Sequence, residues 1–216
     1  EEFGVSLPPI REALRILETE GLITVQRGNV GGAVVHAPQP DKVVFMMGMV
    51  LESRQVPLSD VLSAVIAFEP ACAAACAARP DRATTVLPAL RATLDAAEAA
   101  IDDPTAYAGL ARTFHIQIAD LCGNEAMSLV VGALESLWTG HVDALARERE
   151  QHGAYSDLAA RRHSAKEHER LYARIEKGDV RGAEQLARSH FAEPDPGWER
   201  AVETQRTVRA EFLDRR

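Results

Sequence analysis

Nowhere do eighteen apolar residues run together in the 216-residue chain, so the pattern speaks against a membrane span. Cysteine is scarce: there are three, none in a Cys-x-x-Cys arrangement, which argues against a thiol redox motif and for a reducing cytoplasm. Cys72 and Cys76 lie four apart in an Ala-rich stretch, on one helix face, and Cys122 precedes Gly123-Asn124 at a helix end; all three read as small packing residues. Positive charge is in deficit, with 24 Lys and Arg against 32 Asp and Glu and a net charge of −8. That excludes a surface coated for non-specific nucleic-acid binding, while leaving room for local basic contacts. No secretory leader is visible, and nothing after residue 40 demands a strand. What the chain has in plenty is apolar residues, 46%, enough for one larger core beside a partial small domain.

The opening carries the densest pattern. Gly4 makes a turn, Ser6 is placed to cap the following helix, and Pro8 and Pro9 fall in its first turn, where a missing N–H costs nothing. Ile10, Ala13, Leu14 and Leu17 then recur as one stripe that the helix should bury, with Arg11 and Arg15 outside. The short apolar runs 22–26 and 33–36, joined by a Gly-rich tip, predict a β-hairpin. A helix bearing arginines beside such a wing is a reader of DNA. Arg11 is assigned to base edges or phosphate, Ser6 and Pro9 to the docking end of the helix, and Gly28 with Asn29 to the neighbouring groove. Arg15 and Arg27 are phosphate candidates, with ordinary surface arginines the alternative.

Gly4-Val5-Ser6, then Pro9-Ile10-Arg11-Glu12-Ala13-Leu14, Leu17-Glu18 and Glu20-Gly21-Leu22-Ile23 resemble the winged helix-turn-helix head of the GntR family of bacterial transcription regulators, in particular its FadR branch. Many relatives carry an arginine at the position of Leu7, so one contact to DNA is replaced or missing here. The chain opens inside the helix that should precede Gly4. The first helix of the head and most of the second are therefore expected to be absent, and the chain as it stands is not expected to bind DNA competently.

Ala37-Pro38-Gln39-Pro40 stops the wing and serves as a linker, assigned to 38–41 between a head over 1–37 and the remainder. Beyond it, helices are predicted at 41–55, 58–79, 84–101, 104–122, 125–150, 156–177 and 180–191, separated at Pro57, Pro80, Pro104, Gly123-Asn124, Gly153 and Gly178-Asp179. Phe68-Glu69-Pro70 with the Ala-rich run to Arg79, Phe114-His115, Glu167-His168, Lys177-Gly178-Asp179 and His190 are similar to the FCD effector domain paired with FadR-type heads. The resemblance implies a mainly α protein: a partial winged helix-turn-helix, then an antiparallel all-helical bundle of six to seven helices over 42–193 that binds a small effector, often an organic acid, and forms a homodimer. Residues 194–216 fall outside the resemblance and read as a charged helix that Trp198 and Phe212 would dock.

Helical spacing sharpens the reading of three histidines. His115 borders the stripe Tyr107, Leu110, Ala111, Phe114, Ile118 and Leu121; His168 follows Leu158 and Ala165 and precedes Tyr172 and Ile175; His190 follows Ala183, Leu186 and Ala187. His168 and His190 flank Gly178-Asp179 symmetrically, each about 15 Å from the turn at roughly 1.5 Å per residue, so in an antiparallel hairpin they face each other. With His115 from a third helix they form converging nitrogen ligands for a divalent ion such as zinc, nickel, manganese or iron, and ligand softness does not choose among these. The same three, with Arg162, make the candidate effector pocket, although Arg161-Arg162 by composition belongs to a solvated face. His36, His141, His152 and His163 are expected to be exposed.

Metal-binding FCD domains usually add an aspartate four residues before the Phe-His histidine, where this chain has Ala111, and relatives often carry an arginine at Val65. Two readings stay open: a three-histidine metal site with room for an effector carboxylate, or a metal-free pocket. At the level of function, a ligand-responsive regulator that binds double-stranded operator DNA is the leading reading. A metal-dependent hydrolase or oxygenase is the enzymatic rival, weakened because Glu167 points about 100° away from His168 and no general base is evident. A sensor or dimerisation module without DNA binding is the third reading.

Overall fold

The computed structural model describes residues 4–26, 28, 31–151, 157–192 and 206–210, with the side chains of 143, 145–151, 191 and 192 left aside. The chain divides into two compact units, Glu1–Lys42 and Val43–Arg216. Its elements run α1 (Leu7–Thr19), β1 (Ile23–Gln26), β2 (Gly32–Val35), α2 (Pro40–Ser53), α3 (Leu58–Ala78), α4 (Arg82–Thr85), α5 (Leu87–Ala99), α6 (Pro104–Asp120), α7 (Glu125–Gln151), α8 (Leu158–Glu176) and α9 (Val180–Ala192).

In the first unit Gly4 takes a left-handed φ of 60°, and α1 starts with prolines in its first turn. Ser6 occupies the N-cap position with extended backbone, but its side chain makes no capping hydrogen bond. β1 and β2 pair antiparallel from Ile23 opposite Val35 to Gln26 opposite Gly32. The expected burial of Ile10, Ala13, Leu14 and Leu17 is corrected: Ile10 and Leu14 are half-buried, Ala13 and Leu17 are exposed, and no residue of α1 is buried. A helix whose neighbour in its unit is a two-stranded ribbon has too little surface against it to cover a whole stripe. The Glu18 side chain joins the pair, accepting the Val25 N–H at 3.0 Å.

The second unit is helical throughout its main elements. Asp103 caps α6 by accepting the N–H groups of Thr105 and Ala106, Asn124 does the same for Ala126 and Met127 at the start of α7, and Asp157 caps α8 through Ala159. The helix expected over 84–101 is two: α4 ends at Thr85 and α5 restarts at Leu87. Pro88 explains the break, since its ring nitrogen cannot donate to the preceding turn and its place is the first turn of a new helix.

Two apolar clusters hold the helices. One gathers Cys72, Cys76, Leu90, Phe114, Ile118, Cys122, Leu171 and Ile175; its three thiols are free and fully packed. The other joins Leu58, Val61, Val65, Leu137, Trp138 and Val208. By length and composition α3 is apolar enough to cross a membrane, yet it lies against α6, α7, α8 and α9 with nine of its residues buried.

Corrections concentrate at His141, Arg161 and the tail. His141 is buried, not exposed, because it sits one helical turn from Leu137 on the same inward face of α7. Its Nδ1 donates to the Leu137 carbonyl at 2.7 Å and its Nε2 accepts the Arg209 N–H at 2.7 Å. Arg161 is buried as well, its Nε donating to the Ile101 carbonyl at 2.8 Å. In the described piece of the tail, 206–210, residues 206–209 form no helix where one was expected and Ala210 enters a 3-10 turn: Leu58 N–H donates to Arg206 O and Val208 N–H to Val56 O, Ala210 N–H donates to Glu52, and Val208 is fully buried. Sheet-like pairing beside Pro57 satisfies this backbone, so no helix is needed. Trp198 and Phe212 lie outside the described residues, as does His152.

Val208→Ala removes a buried side chain from the second cluster and should lower stability by roughly 1–3 kcal/mol in chemical denaturation. Burial holds the His141 imidazole below its ordinary range, against the pull of its bond to Leu137 and of nearby Glu52. The unfolded chain therefore takes a proton near pH 6.5 that the folded chain resists, so this contribution is intact above that pH and fades as pH falls below it. His141→Gln should lose less stability than the wild type between pH 7.5 and about pH 5, read from denaturation midpoints at each pH.

Candidate metal and effector site

The site is assembled from five helices of the second unit. His115 comes from α6, His168 from α8 and His190 from α9, while Glu69 of α3 and Glu135 of α7 stand behind them. Gly178, with φ of 68°, turns the chain between α8 and α9 and sets the register that brings His168 opposite His190. Phe114 stacks on His168 with ring centroids 4.8 Å apart, so one wall is an aromatic face. His115 and His168 are buried and His190 is half-buried.

The ring nitrogens converge. His168 Nε2 lies 3.1 Å from His115 Nε2 and 3.2 Å from His190 Nε2, and the three donor atoms all fall within 4.8 Å of one another. An imidazole nitrogen presents either one hydrogen or one lone pair in its ring plane, so His168 Nε2 completes a hydrogen bond with one neighbour and not with both. A shared cation removes that conflict. Two nitrogens bound at about 2.0–2.1 Å to one ion stand roughly 2.9–3.4 Å apart at octahedral or tetrahedral angles, and the His168–His115 and His168–His190 pairs have that spacing. The donor set fits a divalent metal ion.

Burial keeps all three imidazoles neutral. It pushes His115 down, with partial relief from nearby Glu135; it pushes His168 well below the usual range, helped by repulsion from His115 and His190; and it brings His190 down to about 3, with His115 and His163 contributing. Neutral imidazole is the form that ligates metal. On the far side of His115, Nδ1 lies 2.7 Å from Glu69 Oε1. Glu135 neighbours Glu69, and burial pushes Glu69 up to about 8 and Glu135 well above the carboxylate range.

Spacing alone had placed the three histidines together, and the structure brings them together. Arg162 is exposed on α8 and makes no described contact with them. Its register explains this: six residues before His168 is about 240° around the helix. Glu167 is buried but turned to Arg170, with which it forms an ion pair. The carboxylates were not anticipated as partners. The signal for them was a lone acid within an apolar stretch, Glu69 in the α3 run and Glu135 between Leu134 and Ser136, because a buried charge must be matched by a partner.

In the first unit Arg11 is exposed, Arg15 is exposed and paired with Glu12 at 2.8 Å, and Pro9 and Ser6 are exposed at the start of α1. Gly28 is exposed with φ of 133°, while Arg27 and Asn29 lie outside the described residues.

Comparison with known proteins agrees with this architecture. Residues 60–193 match the FCD domain and residues 1–34 match the bacterial regulatory proteins of the gntR family. The chain belongs to the GntR/FCD family of ligand-responsive, DNA-binding transcription regulators, which are regulators and not enzymes. Streptococcus agalactiae GntR is similar in structure at 20% identity, over 93% of this chain and 84% of that one, with a TM-score of 0.65. E. coli McbR/YncC is similar at 16% identity, over 94% and 83%, with a TM-score of 0.52. No curated protein matches the sequence.

Gly178 is left-handed, and a Cβ there would meet Arg82 Nη2 at 2.9 Å. Gly178→Ala should therefore cost about 1–2 kcal/mol of stability in chemical denaturation.

Proposed function

We propose that this regulator, of the FadR branch, binds a divalent metal ion through His115, His168 and His190, and that a small organic acid completes the coordination. The observation that carries the reading is the double contact of His168 Nε2 with the other two Nε2 atoms, at 3.1 and 3.2 Å, which neutral imidazoles cannot satisfy by hydrogen bonding alone. Three neutral ligands leave the ion's charge uncompensated and positions open, both of which favour an anionic effector. Ala111, on α6 one turn before His115, leaves small side-chain volume where an acidic ligand would otherwise stand. Arg162, exposed on α8, would reach the effector only by an extended side chain, and His115, His168 and His190 remain the principal pocket residues.

On this reading residues 1–37 belong to the DNA-binding head, 38–41 are a linker, 42–193 the effector and dimerisation domain, and 194–216 an extension. The regulator works in the cytoplasm as a homodimer. Ser6, Pro9 and Arg11 contact DNA from α1, Gly28 with Asn29 enters the neighbouring groove, and Arg15 and Arg27 contact phosphate. The effector changes operator affinity by binding the DNA-competent and incompetent states unequally.

Isothermal titration with zinc or nickel should show one ion per chain, and His168→Ala should weaken binding by at least about tenfold, as loss of one of three ligands requires. Citrate, malate and other small carboxylates should then raise the melting temperature of the metal-loaded protein more than that of the metal-free protein. Absence of metal binding in the wild type would end the reading. On the DNA side, in a full-length regulator that carries the whole winged helix-turn-helix, Arg11→Ala should cost roughly 1–3 kcal/mol of affinity for a duplex selected from a random-sequence pool, measured by fluorescence polarisation.

A further inference from the structure

The buried carboxyl pair behind His115 has no role in holding the helices that an apolar pair would not fill better, since two adjacent acids removed from water are costly. Glu69 is fully buried and Glu135 nearly so. Glu69 Oε2 and Glu135 Oε1 find no donor among the described residues, while Glu69 Oε1 is committed to His115 Nδ1 at 2.7 Å. The two carboxyls adjoin, and buried carboxyls side by side do not both ionise. Glu69 on α3 has His115 of α6 against its Oε1 and Glu135 of α7 beside it.

We propose that Glu69 is a positioning residue for the metal site: its Oε1, 2.7 Å away, accepts the Nδ1–H of His115, which turns the Nε2 lone pair toward His168 and His190, and Glu135 buttresses Glu69 from α7. This deepens the metal reading above and rests on it for its consequence. A ligating histidine needs its second nitrogen protonated and anchored, and a carboxylate in that place raises the basicity of the ligand. The arrangement also answers the alanine at position 111. Negative charge reaches the ion through the imidazole instead of through a fourth protein ligand, so a coordination position stays free for the effector carboxylate. The opposite proton placement, with Glu69 donating to Nδ1, would put a hydrogen on Nε2 and disable His115 as a ligand.

The test has two arms that fail separately. In metal-free protein labelled with 15N-histidine, long-range 1H–15N spectra assign the tautomer of His115, identified by loss of its signals in His115→Gln. Nδ1–H is expected in the wild type and in Glu69→Gln, whose amide oxygen still accepts, and a mixed tautomer in Glu69→Leu. In the second arm, zinc affinity is measured by competition with a chromophoric chelator. Glu69→Gln should weaken it about tenfold and Glu69→Leu up to about 100-fold, the range for second partners of metal-binding histidines. Glu135→Gln, which keeps the buttress, should stay within about threefold of wild type. An Nε2–H tautomer in the wild type, or wild-type zinc affinity in Glu69→Leu, overturns the assignment of Glu69. If Glu69→Leu does not fold, the wild-type tautomer and Glu69→Gln decide. Failure of the wild type to bind zinc, or undiminished binding in His168→Ala, overturns the metal reading and leaves the tautomer measurement to judge Glu69.

Discussion

Everything at the centre of the helical unit follows from one constraint: three imidazole nitrogens meet on two buried rings and one half-buried ring, and His168 cannot satisfy both of its neighbours with a proton. Burying neutral histidines against Phe114 on one side and two acids on the other costs free energy that a purely apolar core would avoid. The surrounding helices therefore act as a frame. Cys72, Cys76, Leu90, Ile118, Leu171 and Ile175 pack α3, α5, α6 and α8 tightly enough to keep the polar centre in place. The short turn at Gly178 then fixes the relative height of the last two helices.

A second feature is the use of extended backbone at one end of this unit. Residues 206–210 run beside Val56-Pro57-Leu58, lay Val208 into an apolar cluster and engage His141 and Glu52. Here a histidine serves structure in the ordinary way, its Nδ1 donating to Leu137 and its Nε2 accepting from Arg209. His141 and His168 thus share burial and neutrality but differ in the number of partners that compete for one nitrogen. Partner number, more than burial, separates a structural histidine from a ligand set.

Local spacing determined much of this protein on its own: the head of helix and hairpin, most helix limits, and the three histidines on inward faces. These features depend on neighbours within a few residues, or on symmetry about a single turn, which a linear pattern records. Tertiary structure decided the rest. It left α1 without a buried stripe, split α4 from α5 at Pro88, drew His141 and Arg161 inward, and set Glu69 and Glu135 together behind His115. Each of those outcomes turns on which surface a distant segment presents, and periodicity gives the direction of a side chain without naming what waits there. Pairing of buried charges is the sharpest case, because residues 46 apart share one proton only after the chain has folded.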